Sequence, residues 1–154
     1  LPNPAHPERR LTERAPGAPE CPQLKILRID GSIYFGAVSH VAEYFHHLAE
    51  HSPEQKHLLL ISNHINFVDV AGADLLATEA ARRRKLGGSL CFQALRGDAQ
   101  ETLGNPVYAP RLGPVVNFPR KSLALGTLVN SLDKNVCAGC NARIFRECPA
   151  PPAA

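Results

Sequence analysis

The sequence predicts an α/β fold, a mostly parallel central sheet with helices packed on it, in the order β-β-α-β-α-β-α-β-α. Three observations predict it. The unbroken apolar run Leu58-Leu59-Leu60-Ile61 suits a strand covered on both faces, as the middle of a parallel sheet requires. Short strand-like runs alternate with stretches of helical periodicity, and such alternation calls for right-handed crossovers between parallel strands. The helical stretches end at Ser52-Pro53, Gly87-Gly88 and Asn105-Pro106, where proline cannot continue a helix and glycine readily leaves it.

Taken in order, Leu24 to Asp30 reads as a strand closed by the turn signal Asp30-Gly31. Ser32 to Phe35 returns as a second strand, which predicts a hairpin. Gly36 opens a helix in which Val38, Val41, Phe45 and Leu48 recur at three- and four-residue spacing. The apolar strand within His57 to His64 follows. The second helix turns Gly72, Leu75, Leu76 and Ala80 inward and ends in Arg82-Arg83-Arg84-Lys85. Ser89 to Leu95 is the next strand. Gly97-Asp98-Ala99-Gln100-Glu101 has the form of a capping box, with the Asp98 carboxylate meeting free amides at the start of a short helix. Val115 to Phe118 makes a last short strand. Ser122 then caps a helix with an apolar stripe of Leu125, Leu128, Val129 and Leu132.

Residues 1–23 are rich in proline and charge and read as an extended linker; 24–133 form the folded domain; 134–154 form a cysteine-bearing tail. A chain of 154 residues fits one domain with a real core. A net charge of +3 with three tyrosines, six phenylalanines and no tryptophan disfavours nucleic acid, which a denser basic face with interleaved aromatics would meet. No run approaches the roughly 20 apolar residues of a membrane span. Five cysteines without a secretory signal point to a reducing compartment. The absence of methionine, even at position 1, predicts a piece of a longer protein. No G-x-G-x-x-G follows the first strand, so dinucleotide binding has no support.

The stretch Ile65-Asn66-Phe67-Val68-Asp69-Val70-Ala71-Gly72-Ala73-Asp74-Leu75-Leu76 carries an acidic residue, two small residues and a glycine into the second helix. It resembles the signature of STAS domains, the fold shared by anti-sigma factor antagonists and the cytoplasmic ends of SulP anion transporters. Ile29-Asp30-Gly31-Ser32-Ile33-Tyr34-Phe35-Gly36-Ala37-Val38 and Gln55-Lys56-His57-Leu58-Leu59-Leu60 resemble the SulP branch. The antagonists carry a phosphorylatable serine just before the glycine. Ala71 stands there in this chain, and an alanine cannot hold phosphate.

The resemblance implies a non-catalytic regulatory or docking domain of a SulP secondary anion transporter, moving sulfate or a related anion. It would lie at the cytoplasmic face of the inner membrane, as part of an integral membrane protein. Its implied partners are the membrane domain of the same transporter, acyl carrier protein or another acidic protein, and a second copy through the full-length transporter. Nucleotide binding near this end of the sheet is a further expectation. The alternative is a free-standing binding protein of the antagonist type. An enzyme has no support, because no nucleophile–base pair or paired carboxylates converge by spacing.

Four groups are candidate sites. Asp69, Val70, Ala71 and Gly72 sit at a helix entrance, where amides and dipole favour an anion or an acidic partner group, although Asp69 could simply cap the helix. Arg82, Arg83, Arg84 and Lys85 form either a docking patch for an acidic surface or a solvated helix end complementing the dipole. Glu43, His47 and His51, with His40 and His46 nearby, have metal-chelating spacing but read more simply as a solvated face. Cys137-x-x-Cys140 with Cys148 offers three thiolates for zinc, a fourth ligand coming from a histidine, Cys21 or another subunit.

Overall fold

The computed structural model describes residues 19–33, 35–113 and 116–148. The expectations for residues 1–18, Tyr34, Val115 and the closing Pro149 to Pro152 fall outside the described residues. In chain order the elements are β1 (Leu24–Arg28), β2 (Gly31–Ile33), α1 (Phe35–His51), β3 (His57–Ile61), β4 (Ile65–Val68), α2 (Val70–Lys85), β5 (Ser89–Gln93), α3 (Gly97–Leu103), α4 (Ala109–Leu112), β6 (Asn117–Phe118), α5 (Lys121–Asn130) and α6 (Lys134–Gly139).

Four strands form one sheet in the order β1-β3-β5-β6, and all its pairings are parallel. The chain therefore has the predicted α/β fold. Strand β3 lies between β1 and β5, in register from His57 opposite Leu24 and Ser89 to Ile61 opposite Arg28 and Gln93. Its apolar run is split between two cores. Leu58 and Leu60 join the core built with α1, α2, α3 and α4, whereas Leu59 and Ile61 join one built with α5 and with Ile144 and Phe145. Each of these side chains is fully or almost fully buried, worth roughly 1.5–3 kcal/mol apiece. Burial on both faces is the reason polar alternation is absent from the sequence of β3.

The predicted hairpin is not formed. β2 leaves β1 and pairs in parallel with β4, a strand the sequence hid inside the approach to the second helix. The cause is local geometry: Gly31 takes φ 94°, and the register slips between Gly31 and Ser32. The two strands make a small separate sheet beyond the carboxyl ends of β1 and β3. The Ile29 amide donates to the Ile61 carbonyl (3.4 Å) and the Gly31 amide to that of His64 (2.9 Å), joining the two layers.

Two predicted caps are also absent. Helix α3 begins at Gly97, so Asp98 lies inside its first turn, and Arg96 at the N-cap makes no side-chain bond. Helix α5 begins at Lys121 with Arg120 at its N-cap, which places Ser122 two residues too late to cap it. The short helices α4 and α6 are additional to the predicted order. Beyond α6 the chain returns to the domain, with Ile144 and Phe145 each 1% exposed in the second core.

Candidate functional site

The entrance of α2 is held by two short-range devices. Asp69 is its N-cap, in extended backbone, and its Oδ1 accepts from the Gly72 amide at 2.9 Å. Its own amide donates to the Ile33 carbonyl at 3.1 Å, fastening the helix start to β2. Gly72 then permits close approach: a Cβ there would stand 2.4 Å from the Ile33 carbonyl oxygen. The carboxylate of Asp69 thus takes the Gly72 amide, one of the donors a bound anion would meet at a helix entrance. Phe67 and Val70 flank this cap in sequence and are 44% and 70% exposed, unusual for large apolar side chains so close to a core. Ala71 is half-buried beside them. What the entrance offers is a small apolar surface on a rigid mount.

A polar cluster lies at the carboxyl ends of β1 and β3. Arg28 Nε donates to Asp30 Oδ1 at 2.9 Å, and His64 Nδ1 lies 3.2 Å from the same oxygen. The Arg28 hydrogen bond is the main reason the Asp30 carboxyl lies below its ordinary range. All three side chains are exposed, so the cluster presents a polar rim to solvent.

The exit of α2 departs from the sequence expectation. Arg83 turns inward and is only 2% exposed, so it is no part of a surface patch. Its Nε donates to Glu79 Oε1 at 2.7 Å and its Nη1 to the Gln55 carbonyl at 2.9 Å. Burial pushes its pKa down, against the pull of Glu79. Arg82 donates twice to the same carboxylate, at 2.7 and 3.0 Å, and those bonds raise its pKa. Arg84 donates to the Arg111 carbonyl, and Arg111 in turn pairs with Asp74. Arg84 and Lys85 remain the exposed cations of the run. Glu79 was overlooked in the sequence. Its spacing of three and four residues ahead of Arg82 and Arg83 was the available signal.

The histidines of α1 lie on an exposed face. His47 and His51 stack with centroids 4.1 Å apart, His51 Nδ1–H donates to the His47 carbonyl, and His46 meets Glu50 at 3.0 Å. Among the described residues no group of three or more His, Cys, Asp or Glu side chains is arranged to hold a metal. Cys137, Cys140 and Cys148 do share a small cavity, which Cys21 also lines. A larger groove of about 380 Å³ opens near the amino ends of β1 and β3, between Gln23, His57 and Asp133. It lies at the opposite end of the strands from the α2 entrance. No helix among the described residues is long and apolar enough to cross a membrane.

A parallel sheet with an annex of two strands, a capped helix seated on that annex and exposed apolar residues beside the cap define a binding domain of the α/β class. The STAS domain family model matches residues 15–105, more than half of the chain, and the chain belongs to that family. Members of the family serve in general as protein-binding and regulatory domains. No curated relative matches the chain in sequence. Among solved structures, it is similar to a sulfate transporter family protein from Wolinella succinogenes, with a TM-score of 0.57 at 18% identity over 87% of this chain and 97% of that one. It is also similar to a candidate anti-sigma factor antagonist from Thermotoga maritima, with a TM-score of 0.58 at 10% identity over 68% of this chain and 86% of that one.

Proposed function

We propose that this chain is a non-catalytic regulatory or docking domain on the cytoplasmic side of a SulP-type secondary anion transporter. Its partner is the membrane domain of the same protein, and it acts through the entrance of α2. The observation that carries the reading is Ala71, set between the exposed Val70 and the close-packed Gly72. A surface of this shape without a hydroxyl suits a constitutive contact, whereas an antagonist exchanging partners under phosphorylation needs an acceptor there. The filled N-cap favours a protein partner over a free anion or nucleotide. The likeness to a sulfate transporter family protein, which spans nearly the whole of that chain, agrees with the reading.

The exposed Arg84 and Lys85 form a second, smaller contact for an acidic protein, the acyl carrier protein being the type the resemblance suggests. Steering by such rim charges affects association rate and salt dependence more than affinity. Two experiments test the proposal. The reading frame upstream of Leu1 should encode a membrane domain of about ten or more apolar spans, each near the length a bilayer requires; an immediate start codon would overturn it. In the full-length transporter, Val70→Asp should weaken crosslinking between this domain and the membrane domain while Lys85→Glu leaves it intact. Equal crosslinking in both variants would move the contact elsewhere.

A further inference from the structure

The five cysteines divide into one and four. Cys91 is buried within β5, its thiol 3.9 Å from the Ser89 hydroxyl. The other four, Cys21, Cys137, Cys140 and Cys148, line a single cavity. They come from opposite ends of the chain: Cys21 precedes β1, and the rest lie in α6 and the segment that follows it. The cavity measures about 20 Å³, room for one water or one ion and too little for an organic ligand or an iron–sulfur cluster. None of the five is tied in a disulfide among the described residues.

The surroundings hold these thiols in place. Gln23 is buried, and its Nε2 donates to Cys137 Sγ at 3.4 Å and to the Asp133 carbonyl at 3.1 Å, while its Oε1 accepts from the Asp133 amide at 2.9 Å. An N–H aimed at sulfur is the outer contact that steadies a thiolate ligand. The Cys140 amide donates to the Cys137 carbonyl at 3.2 Å, a turn that keeps the Cys-x-x-Cys pair together. Buried Ile144 and Phe145 anchor the return that carries Cys148. Arg143 adds a cation at the cavity edge, complementary to four thiolates around one divalent ion. As placed, the thiols are not drawn into a ligand cluster. Without an ion, thiols pack as small apolar groups.

We propose that Cys21, Cys137, Cys140 and Cys148 bind one zinc ion, closing the segment before β1 onto the segment after α6. Four sulfur donors lining a one-ion cavity suit zinc among the first-row metals, which thiolates hold tetrahedrally. Four S–H bonds break, four Zn–S bonds form and four protons pass to the buffer, with no change of oxidation state. All four positions are filled by the protein, so the site is structural and leaves no place for a substrate.

The test uses the whole chain, purified with reductant and reconstituted with zinc. One equivalent of zinc should survive desalting, and X-ray absorption should show four sulfurs at about 2.3 Å. Zinc should protect Cys137, Cys140 and Cys148 from maleimide, with protection lost on adding a chelator, whereas Cys21 and Cys91 are buried with or without the ion. Cys21→Ser and Cys148→Ser should each weaken retention against a chelator by about tenfold or more, with Cys91→Ser unchanged. The alkylation assay on the unmutated chain decides the matter even where a serine variant fails to fold. A metal-free product, full retention in Cys21→Ser, a disulfide under reductant or visible iron–sulfur absorption would each overturn the proposal.

Discussion

The two ends of α2 put the same helix to different uses. At the entrance, polar chemistry is spent on the chain itself and apolar side chains are left outside: Asp69 caps Gly72, while Phe67 and Val70 face solvent. At the exit, where the sequence shows four consecutive cations, the charges fold back on the domain through Glu79, Gln55 and Arg111. The difference teaches that a charge run on a helix is not a surface. Successive residues are turned by about 100°, so four in a row point nearly all the way round and cannot all meet one partner. A cap followed by a glycine fixes direction instead, because both act on the backbone.

The comparison can be broken most forcefully at the exit. Glu79→Ala strands Arg83 in the core without an anion, and unfolding in urea should show a loss of about 3–5 kcal/mol. A loss below about 1 kcal/mol would mean that the pair is solvated after all. Gly72→Val drives side-chain atoms into the Ile33 carbonyl and should cost about 1–3 kcal/mol, read in the same titration. Asp69→Ala removes the cap for about 0.5–2 kcal/mol, and Asp69→Ser should recover most of it; no recovery would assign Asp69 a role beyond capping.

A smaller effect is expected at His57, whose Nδ1 lies 2.9 Å from the Ser89 hydroxyl. Burial, then the charges of Arg83 and Lys56, hold its pKa below the ordinary 6.5. The folded state therefore resists a proton that the unfolded chain accepts near 6.5, so stability falls as pH drops below about 7 towards the folded value. His57→Gln should flatten the dependence of Tm on pH through that window. An unchanged slope would place the titration elsewhere. Val70→Ser should change stability least, within about 0.5 kcal/mol, because the side chain is mostly in water. Any larger loss would show that the entrance surface already packs within the domain.

The sheet was legible because β3 carries its burial in its composition, and the long helices because their apolar spacing is regular. β4 was not, since only Ile65 and Val68 are buried and the two residues between them are exposed, a pattern that does not alternate. Its pairing with β2 rests on a bulge that no propensity announces. At the candidate site, the cap and glycine of the α2 entrance could be read in advance because capping is a contact between near neighbours. The inward turn of Arg83 was missed, although Glu79 four positions earlier was the clue. The grouping of Cys137, Cys140 and Cys148 could be read from their spacing, with Cys21 one of three sources of a fourth ligand; that Cys21 lines the same cavity is a product of tertiary folding.

That shared cavity has a mechanical side. Load applied between residues 19 and 148 reaches the corner where Cys21 and Cys148 line one cavity before it reaches the sheet. With zinc bound as proposed, the corner would work as a buckle: strain entering at one end leaves at the other, and β1, an edge strand paired only with β3 among the described residues, is spared from peeling. Single-molecule stretching between those positions should show the rupture force dropping with Cys148→Ser and indifferent to Leu59→Ala. The reverse order would put the sheet, not the buckle, in the line of force.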